Sequence, residues 1–415
     1  MLPARSLDEL IDQAIPELDV NTRATAQAIL DDVAERGEIA VREISVRLGD
    51  LGEGAPLWRE RDELEAAAQR LPAEQLALLE RTAERIRRFA EAHRESLNSF
   101  ELPIPGGFAK QRWESVDAAG CYAPGGRYPL PSSVLMTAVT ARTAGVRRVI
   151  VASPRPNDVT LASAWIAGAD RVLAVGGAQA VGALTYGLGA ELGVDTIVGP
   201  GNRYVTAAKA LVSGRVAIDM LAGPSELLVV AGSDARPAWI AADLLAQAEH
   251  DPDARPLLIA LDPEVIPAVN AELEAQLTEL ETRAIAERAL QNGGAWLAPD
   301  EDSAVAAVDR LAPEHLELPG ARAGALADRV RHYGALFTGR AGGEVFGDYG
   351  AGPNHVLPTG GSAKRAQGLS VLDFLRLRTQ LHLDDLDACT ELRADAAALA
   401  DLEGLAGHAR AARCR

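Results

Sequence analysis

Four segments of the sequence combine imidazole, carboxylate and amide side chains with turn-forming residues. They read LLAQAEH at 244–250, APEHL at 312–316, GDYGAGPNHVLPT at 347–359 and EGLAGH at 403–408, and they hold four of the seven histidines. Such side chains can bind zinc through nitrogen and oxygen, and imidazole also transfers protons near neutral pH. The pattern indicates a zinc-dependent enzyme with a separate acid–base pair.

A helix running from 237 to 250 would place Gln247 and His250 on one face, where they could share a metal ion. An isolated pair of this kind is more often a capping histidine and a solvated glutamine. Asp348 and His355 lie in a Gly- and Pro-rich stretch whose backbone freedom can bring side chains to a common site. Taken alone, that stretch is a turn-rich loop.

Two further pairs could take part in proton transfer or binding. Glu314 and His315 are adjacent before an apolar run, and such residues often act as bases on different protons, although a solvated Glu beside an ordinary His is the commoner case. Glu403 and His408 lie five residues apart, which turns a helix through about 140°. They can point the same way only if a glycine between them breaks the helix.

Glycine-rich turns follow several candidate strands, where ligands bind α/β sheets. They read YAPGG at 122–126, VGGAQA at 175–180, GPGN at 199–202 and AGPSE at 222–226, and none has the pattern G-x-G-x-x-G. Backbone amides together with Tyr122, Gln179 and Asn202 could hold a dinucleotide. The spacing by itself fits a nucleotide, a phosphate or plain turns.

The elements that would position these residues follow from periodicity. Apolar spacing predicts helices over 22–36 and 72–97, then short β-rich runs alternate with Ala-rich helices, which is typical of a parallel sheet. Further helices are predicted over 237–250 and 263–290, and a helical tail after 361. The candidate strands are 147–154, 171–177, 195–201, 226–233, 255–262 and 334–339.

Length, net charge and cysteine content limit the classes of protein to which this chain can belong. A length of 415 residues indicates two or three domains, and a net charge of −18 argues against nucleic-acid or anionic-membrane binding. Three scattered cysteines without a CxxC motif favour a reducing cytoplasm. No signal peptide is expected, and the uncharged run 172–190 contains too many glycines for a membrane span.

Taken together and in order, the motifs resemble those of histidinol dehydrogenases from about residue 25 to 412. They are YAPGGRYPLPSSVLM, VGGAQAVGALTYG, VDTIVGPGNRYV, IDMLAGPSE, DLLAQAEHDPD, APEHLEL, GDYGAGPNHVLPTGG and EGLAGH. The resemblance implies oxidation of L-histidinol through L-histidinaldehyde to L-histidine with two NAD⁺, at the end of histidine biosynthesis. It also implies one zinc ion per subunit.

The resemblance assigns roles to individual residues. It implies that His315 takes the alcohol proton and that Glu314 activates water for the aldehyde step, while zinc holds the substrate. The zinc ligands would be Gln247, His250, Asp348 and His408. The substrate would contact these four residues together with Ser225, His315, His355 and Glu403. The NAD contacts would be Tyr122, Gln179 and Asn202.

For architecture, the resemblance implies two α/β domains with incomplete Rossmann-like parallel sheets, one inserted in the other, with small helical ends. The expected divisions are a helical arm over 1–20, a zinc and catalytic domain over 21–118 and 227–368, an NAD domain over 119–226 and a helical tail over 369–415. The tail is expected to reach the partner subunit of a homodimer with shared active sites.

Three segments depart from the usual pattern of the family near the expected nucleotide region, and they bear on cofactor affinity. They are VTAR at 139–142, SPRP at 153–156 and LGAEL at 188–192. Three alternatives stay open: a dehydrogenase for another primary alcohol, a zinc hydrolase using Glu314, and an inactive zinc-binding homologue. Glu403 argues against an anionic sulfonated alcohol, since like charges repel.

Overall fold

The computed structural model describes residues 1–12, 19–125 and 129–415. Residues 13–18 of the expected N-terminal arm and 126–128 of the YAPGGRYPLPSSVLM motif lie outside the described residues. Within them the chain is an α/β protein with two main sheets and one small antiparallel sheet. This confirms the predicted class.

The strands in chain order are β1 Trp58–Arg59, β2 Phe100–Ile104, β3 Gly107–Ser115, β4 Ala118–Tyr122, β5 Arg148–Ala152, β6 Arg171–Leu173, β7 Thr196–Val198, β8 Ala217–Ile218, β9 Glu226–Ala231, β10 Arg255–Ala260, β11 Gly294–Leu297, β12 His315–Leu318, β13 Ala335–Thr338 and β14 Leu375–Leu383.

The α-helices are α1 Leu7–Asp12, α2 Val20–Arg36, α3 Glu38–Arg47, α4 Arg61–Arg70, α5 Ala73–Ser96, α6 Pro131–Ala144, α7 Asp158–Ile166, α8 Gly177–Tyr186, α9 Arg203–Val212, α10 Pro237–Ala248, α11 Val265–Leu277, α12 Arg283–Asn292, α13 Glu301–Leu311, α14 Gly320–Gly324, α15 Glu344–Tyr349, α16 Thr390–Leu402 and α17 Ala406–Arg413. Short 3₁₀ turns lie at Ser362–Lys364 and Val371–Phe374.

The larger sheet has the strand order β1-β6-β5-β4-β7-β8 and is parallel except for β1. The chain starts its parallel part at β4, runs outward through β5 and β6, and then returns to the other side of β4 with β7. Neighbouring strands β4 and β7 therefore form a switch point, where parallel sheets open a crevice at the carboxyl ends of the strands.

The second sheet has the order β11-β10-β9-β12-β13 and is entirely parallel. One face packs on α10, α11 and α12, and the other packs on α13 and α14. Leu2 and Leu10 of the N-terminal segment enter these two cores. The sheet brings β9 and β12 side by side although they are far apart in sequence.

Helices α2 to α5 pack against the larger sheet. Leu30 on α2 is buried with helices α8 and α9 on one face, and Ile86 on α5 is buried with α6 and α7 on the other. The expected division into domains, with 21–118 grouped with 227–368, stays a prediction. Apolar helix faces are covered by whichever sheet lies nearest in space, which periodicity does not reveal.

Predicted elements agree with the structure in part. The helices over 22–36 and 72–97 are confirmed as α2 and α5, whereas the single helix over 263–290 is wrong because the chain breaks between α11 and α12. The helical tail is confirmed in α16 and α17 but is wrong over Leu375–Leu383, where β14 pairs antiparallel with β3. Its sequence, LRLRTQLHL, alternates with the period of a strand. The β2–β3 hairpin was not predicted from the sequence.

No helix among the described residues is both long and apolar enough to cross a membrane.

Candidate active site

The last turn of α10 carries Gln247, whose side chain is fully buried. Neither its amide oxygen nor its amide nitrogen has a hydrogen-bond partner among the described residues. Leaving a buried polar group without a hydrogen-bond partner lowers the stability of a protein by about 1–3 kcal/mol. A bound ligand or ion that pairs with the group explains why it is kept, so the Gln247 amide is a candidate ligand. The expected helix to residue 250 ends earlier, and exposed His250 lies in the turn that follows.

His250 approaches a short helix that carries two carboxylates. One ligand atom from each of His250, Glu344 and Asp348 lies within 4.8 Å of the others. Glu344 and Asp348 are four residues apart on α15, which places them on the same helix face. This geometry fits a divalent cation with oxygen and imidazole ligands.

Sequence reasoning missed Glu344. The i,i+4 spacing of two carboxylates in EVFGD was a signal that could have found it, but the surrounding glycines indicated a loop rather than a helix. Glu344 is 4% exposed, and its Oε2 has no hydrogen-bond partner in the described part of the chain. The cluster therefore holds one more carboxylate than predicted.

Glu314 and His315 lie where β12 begins, beside β9, as predicted for a loop-to-strand junction. Oε2 of Glu314 accepts the backbone N–H of Glu226 at 2.9 Å. Nδ1 of His315 lies 3.2 Å from the backbone carbonyl oxygen of the same Glu226. A single β9 residue therefore orients both members of the acid–base pair.

Carboxylates surround the buried His315 ring. Nδ1 lies 3.6 Å from Oε1 of Glu344 and 3.7 Å from Oε2 of Glu314, while Nε2 lies 3.6 Å from Oδ1 of Asp348. Burial lowers the pKa of His315, but these carboxylates outweigh it and raise the pKa well above its usual value. Through Asp348, the ring connects the acid–base pair to the cluster around His250.

Burial makes the carboxyl groups of Glu314 and Glu344 weaker acids than usual. Desolvation raises the pKa of Glu314 to about 7 and that of Glu344 to about 8, although the nearby His315 opposes both shifts. A carboxyl group with a pKa near neutral can both accept and release a proton at physiological pH. Glu314 therefore has the acidity that a general base needs.

His355 and Ser225 border the same region. Nδ1 of His355 lies 3.1 Å from the backbone carbonyl oxygen of Asp348, and burial lowers the pKa of this imidazole. Ser225 immediately precedes β9 and Glu226, and its carbonyl oxygen accepts the backbone N–H of Arg255 at 3.0 Å. The structure thus brings the predicted residues 225, 247, 250, 314, 315, 348 and 355 to one region.

Glu403 and His408 are exposed and lie on the C-terminal helices. Gly404, with φ +75°, separates α16 from α17, so a glycine does break the helix between them. Within one chain they are not part of the cluster of His250, Glu344 and Asp348. Their predicted roles stay predictions.

The predicted NAD contacts surround the switch point of the larger sheet. Tyr122 ends β4, and its hydroxyl accepts the backbone N–H of Gly177 at 3.1 Å. Buried Gln179 donates from Nε2 to Asp50 at 3.3 Å, and its Oε1 has no partner among the described residues. Asn202 caps α9 through its side-chain oxygen. An amide oxygen without a partner, beside the carboxyl ends of parallel strands, can accept a hydrogen bond from a bound polar ligand.

One of the three departing segments contacts this region. Pro154 of SPRP lies under the backbone of both Gly125 and Gly176, where an added Cβ would lie 2.8 Å from its ring carbon Cγ. Arg155 has a positive φ of 46°, which is uncommon for a residue with a side chain. The segment therefore supports two of the glycine turns.

Comparison with known proteins shows the family to which this chain belongs. The family model described as histidinol dehydrogenase matches residues 15–415. The chain belongs to the histidinol dehydrogenase family. Histidinol dehydrogenase from Methylococcus capsulatus is 44% identical over 99% of this chain and 95% of that protein, and the one from Cereibacter sphaeroides is 46% identical over 96% and 92%.

A solved structure agrees with the sequence relatives. The crystal structure of histidinol dehydrogenase from Elizabethkingia anophelis superimposes with a TM-score of 0.92 at 29% identity, covering 100% of this chain and 97% of that one. The resemblance seen in the motifs is thereby confirmed over the full length. The chain is an enzyme of the histidinol dehydrogenase family with the α/β fold of its relatives.

Proposed function

We propose that this enzyme oxidises L-histidinol through L-histidinaldehyde to L-histidine, using two NAD⁺ and one zinc ion per subunit, as the final steps of histidine biosynthesis. The observation that supports the proposal most directly is the short distance between the expected base and an expected zinc ligand. His315, the expected base, lies 3.6 Å from Asp348, an expected zinc ligand, within a chain of the histidinol dehydrogenase family.

The residues that would hold zinc are Gln247, His250, Asp348 and His408. The orphaned amide of Gln247 and the closeness of His250 to Asp348 fit such an ion. When bound, zinc would supply an electrophilic centre that holds the nitrogen atoms of the substrate. His355, Ser225 and Glu403 would complete the substrate site, where the Glu403 carboxylate suits a cationic amino alcohol.

His315 would remove the proton of the alcohol during the first oxidation. Nδ1 faces the Glu226 carbonyl oxygen, so the proton lost above the raised pKa of His315 leaves Nε2, which then offers a lone pair. That nitrogen faces Asp348 and has no hydrogen-bond partner in the described residues. It is therefore placed to accept a proton from a substrate held beside Asp348.

Glu314 would activate water for attack on the aldehyde before the second oxidation. The backbone N–H of Glu226 holds one of its oxygens, so the carboxylate has a defined orientation. Its pKa of about 7 lets the carboxylate take a proton from water near neutral pH. Two bases with different chemistry would thus serve the two half-reactions.

NAD would bind at the switch point between β4 and β7, in the predicted cofactor domain over 119–226, with contacts from Tyr122, Gln179 and Asn202. The unsatisfied Oε1 of Gln179 supports this placement. The dinucleotide would accept the hydride in each half-reaction.

The C-terminal tail would reach a second copy of the chain, so that Glu403 and His408 complete the partner's active site. Their exposure, and their absence from the His250 cluster of their own chain, support a homodimer with shared sites. The free thiols of Cys121, Cys389 and Cys414 support a reducing compartment, which we propose is the cytoplasm.

The test is product formation by the zinc-loaded protein given L-histidinol as the sole substrate. We expect two NADH for each L-histidine formed, and no turnover without NAD⁺. A zinc hydrolase would turn over substrate without NAD⁺, and an alternative alcohol dehydrogenase would leave L-histidinol unreacted. Either result would contradict the proposal.

A further inference from the structure

Lys209 on α9 is a buried amine that the proposed chemistry does not use. It is 2% exposed, and the side chain of its ion-pair partner, Asp219, is 0% exposed. Replacing a buried ion pair by apolar residues is often neutral or stabilising, so such a pair is weak evidence for a stability role. What it does provide is fixed geometry for the groups that it contacts.

The ion pair contacts both backbone polar groups of Gly199. Nζ of Lys209 donates to the Gly199 carbonyl oxygen at 2.9 Å and also pairs with Oδ1 of Asp219. Oδ2 of Asp219 accepts the Gly199 N–H at 2.7 Å. One buried pair therefore holds the position and the orientation of the first residue of the GPGN turn.

Gly199 lies where the two central strands meet the predicted cofactor site. It follows β7 directly and has φ +114°, and a Cβ at this position would lie 2.0 Å from the backbone oxygen of Tyr122. Its backbone is thus packed against the end of β4. Three residues later, Asn202 caps α9, so the turn connects two of the predicted NAD contacts.

We propose that Lys209 and Asp219 are positioning residues for NAD: by holding Gly199, they keep the turn 199–202 against Tyr122 in the shape that receives the dinucleotide. This inference rests on the proposed NAD site. Pre-organised binding loops gain affinity because less ordering is required when the ligand binds. The hydrogen bonds of the pair go to Gly199 and Met220 and not to the zinc cluster or the acid–base residues, so histidinol binding should be independent of the pair.

The test uses the double variant Lys209→Met/Asp219→Leu, which removes both charges of the pair and both of its hydrogen bonds to Gly199. Calorimetric titration of the zinc-loaded protein measures NAD⁺ and L-histidinol binding separately. We expect the Kd for NAD⁺ to rise by about tenfold or more, because the turn loses its fixed geometry. The Kd for L-histidinol should stay within about twofold of that of the unaltered protein.

Leu30→Ala is the matched control, because it opens a cavity in the same core from α2 and leaves the hydrogen bonds of Lys209 and Asp219 to Gly199 in place. If it weakens NAD⁺ binding as much as the double variant does, a general loosening of the domain explains the effect and the inference is overturned. Should the double variant not fold, Lys209→Met/Asp219→Asn repeats the measurement, because it removes both charges and the donor to the Gly199 carbonyl but keeps an acceptor for the Gly199 N–H.

Two outcomes separate the failure of this inference from the failure of the proposed function. A folded variant that binds NAD⁺ as tightly as the unaltered protein overturns the positioning role alone. An unaltered, zinc-loaded protein that binds no NAD⁺ overturns the proposed function, and the positioning role with it.

Discussion

Nδ1 of His315 lies 3.2 Å from the backbone carbonyl oxygen of Glu226. A carbonyl oxygen only accepts hydrogen bonds, so Nδ1 carries the hydrogen and the neutral ring keeps a lone pair on Nε2. The β9–β12 pairing makes this contact, because it places His315 beside Leu227, the residue after Glu226. The basic nitrogen is thereby directed to the Asp348 side, where the proposed substrate lies.

The two half-reactions should respond differently to loss of each base. Glu314→Gln should slow aldehyde oxidation by about 10²–10⁴-fold, the usual contribution of a general base, and slow alcohol oxidation much less. His315→Asn should show the reverse preference, slowing the alcohol step more. Single-turnover assays started from L-histidinol or from L-histidinaldehyde separate the steps. Equal slowing of both steps by Glu314→Gln would contradict the division of labour.

Zinc should be lost when its ligands are altered. His250→Asn should lower zinc affinity by more than about 100-fold, since even indirect partners of a metal contribute 10–100-fold. Histidinol oxidation should be abolished while circular dichroism shows a folded protein. His93→Asn, on α5, is the matched control and should keep its zinc. Full activity in a metal-free His250→Asn protein would rule out the assigned site.

The aldehyde step should depend on pH through Glu314, whose pKa burial raises to about 7. Below that pH the carboxyl group is protonated and cannot accept a proton from water. The rate from L-histidinaldehyde should therefore fall by about tenfold for each unit of pH below 7. Stopped-flow rates at a series of pH values measure this limb, and Glu314→Gln should lack it. A limb that persists in Glu314→Gln would assign it to another group.

Glu344 should support the basicity of His315. Its Oε1 lies 3.6 Å from Nδ1, and a carboxylate at that distance raises the pKa of the imidazole. Glu344→Gln should move the acidic limb of alcohol oxidation to lower pH by roughly one unit, which corresponds to about 1.4 kcal/mol. The measurement is the pH dependence of the first hydride transfer. An unchanged limb would show that Glu344 does not tune His315.

Shared sites predict complementation between inactive chains. A heterodimer of one His250→Asn chain and one His408→Asn chain, isolated by tandem purification, collects both lesions in one site and leaves the other intact. About half of the normal activity per dimer should return, as two-fold symmetry requires. A heterodimer as inactive as its parents would place His408 in the site of its own chain.

Several features of the fold and the site follow from local sequence. The alternation of β-rich runs with Ala-rich helices predicted a parallel α/β fold, and proline and apolar spacing predicted α10 with Gln247 near its end. The adjacency of Glu314 and His315 before an apolar run placed both residues at the start of a strand. These features are set by neighbouring residues, so periodicity and turn chemistry are sufficient to indicate them.

Tertiary structure decided the contacts between distant segments. Glu226 orients Glu314 across 88 residues, Glu344 reaches His315, and Lys209 holds the Gly199 turn. Which sheet covers helices α2 to α5 was likewise decided by packing. Periodicity shows which face of an element is buried but not which partner buries it, because that choice depends on the shape and burial of the whole chain.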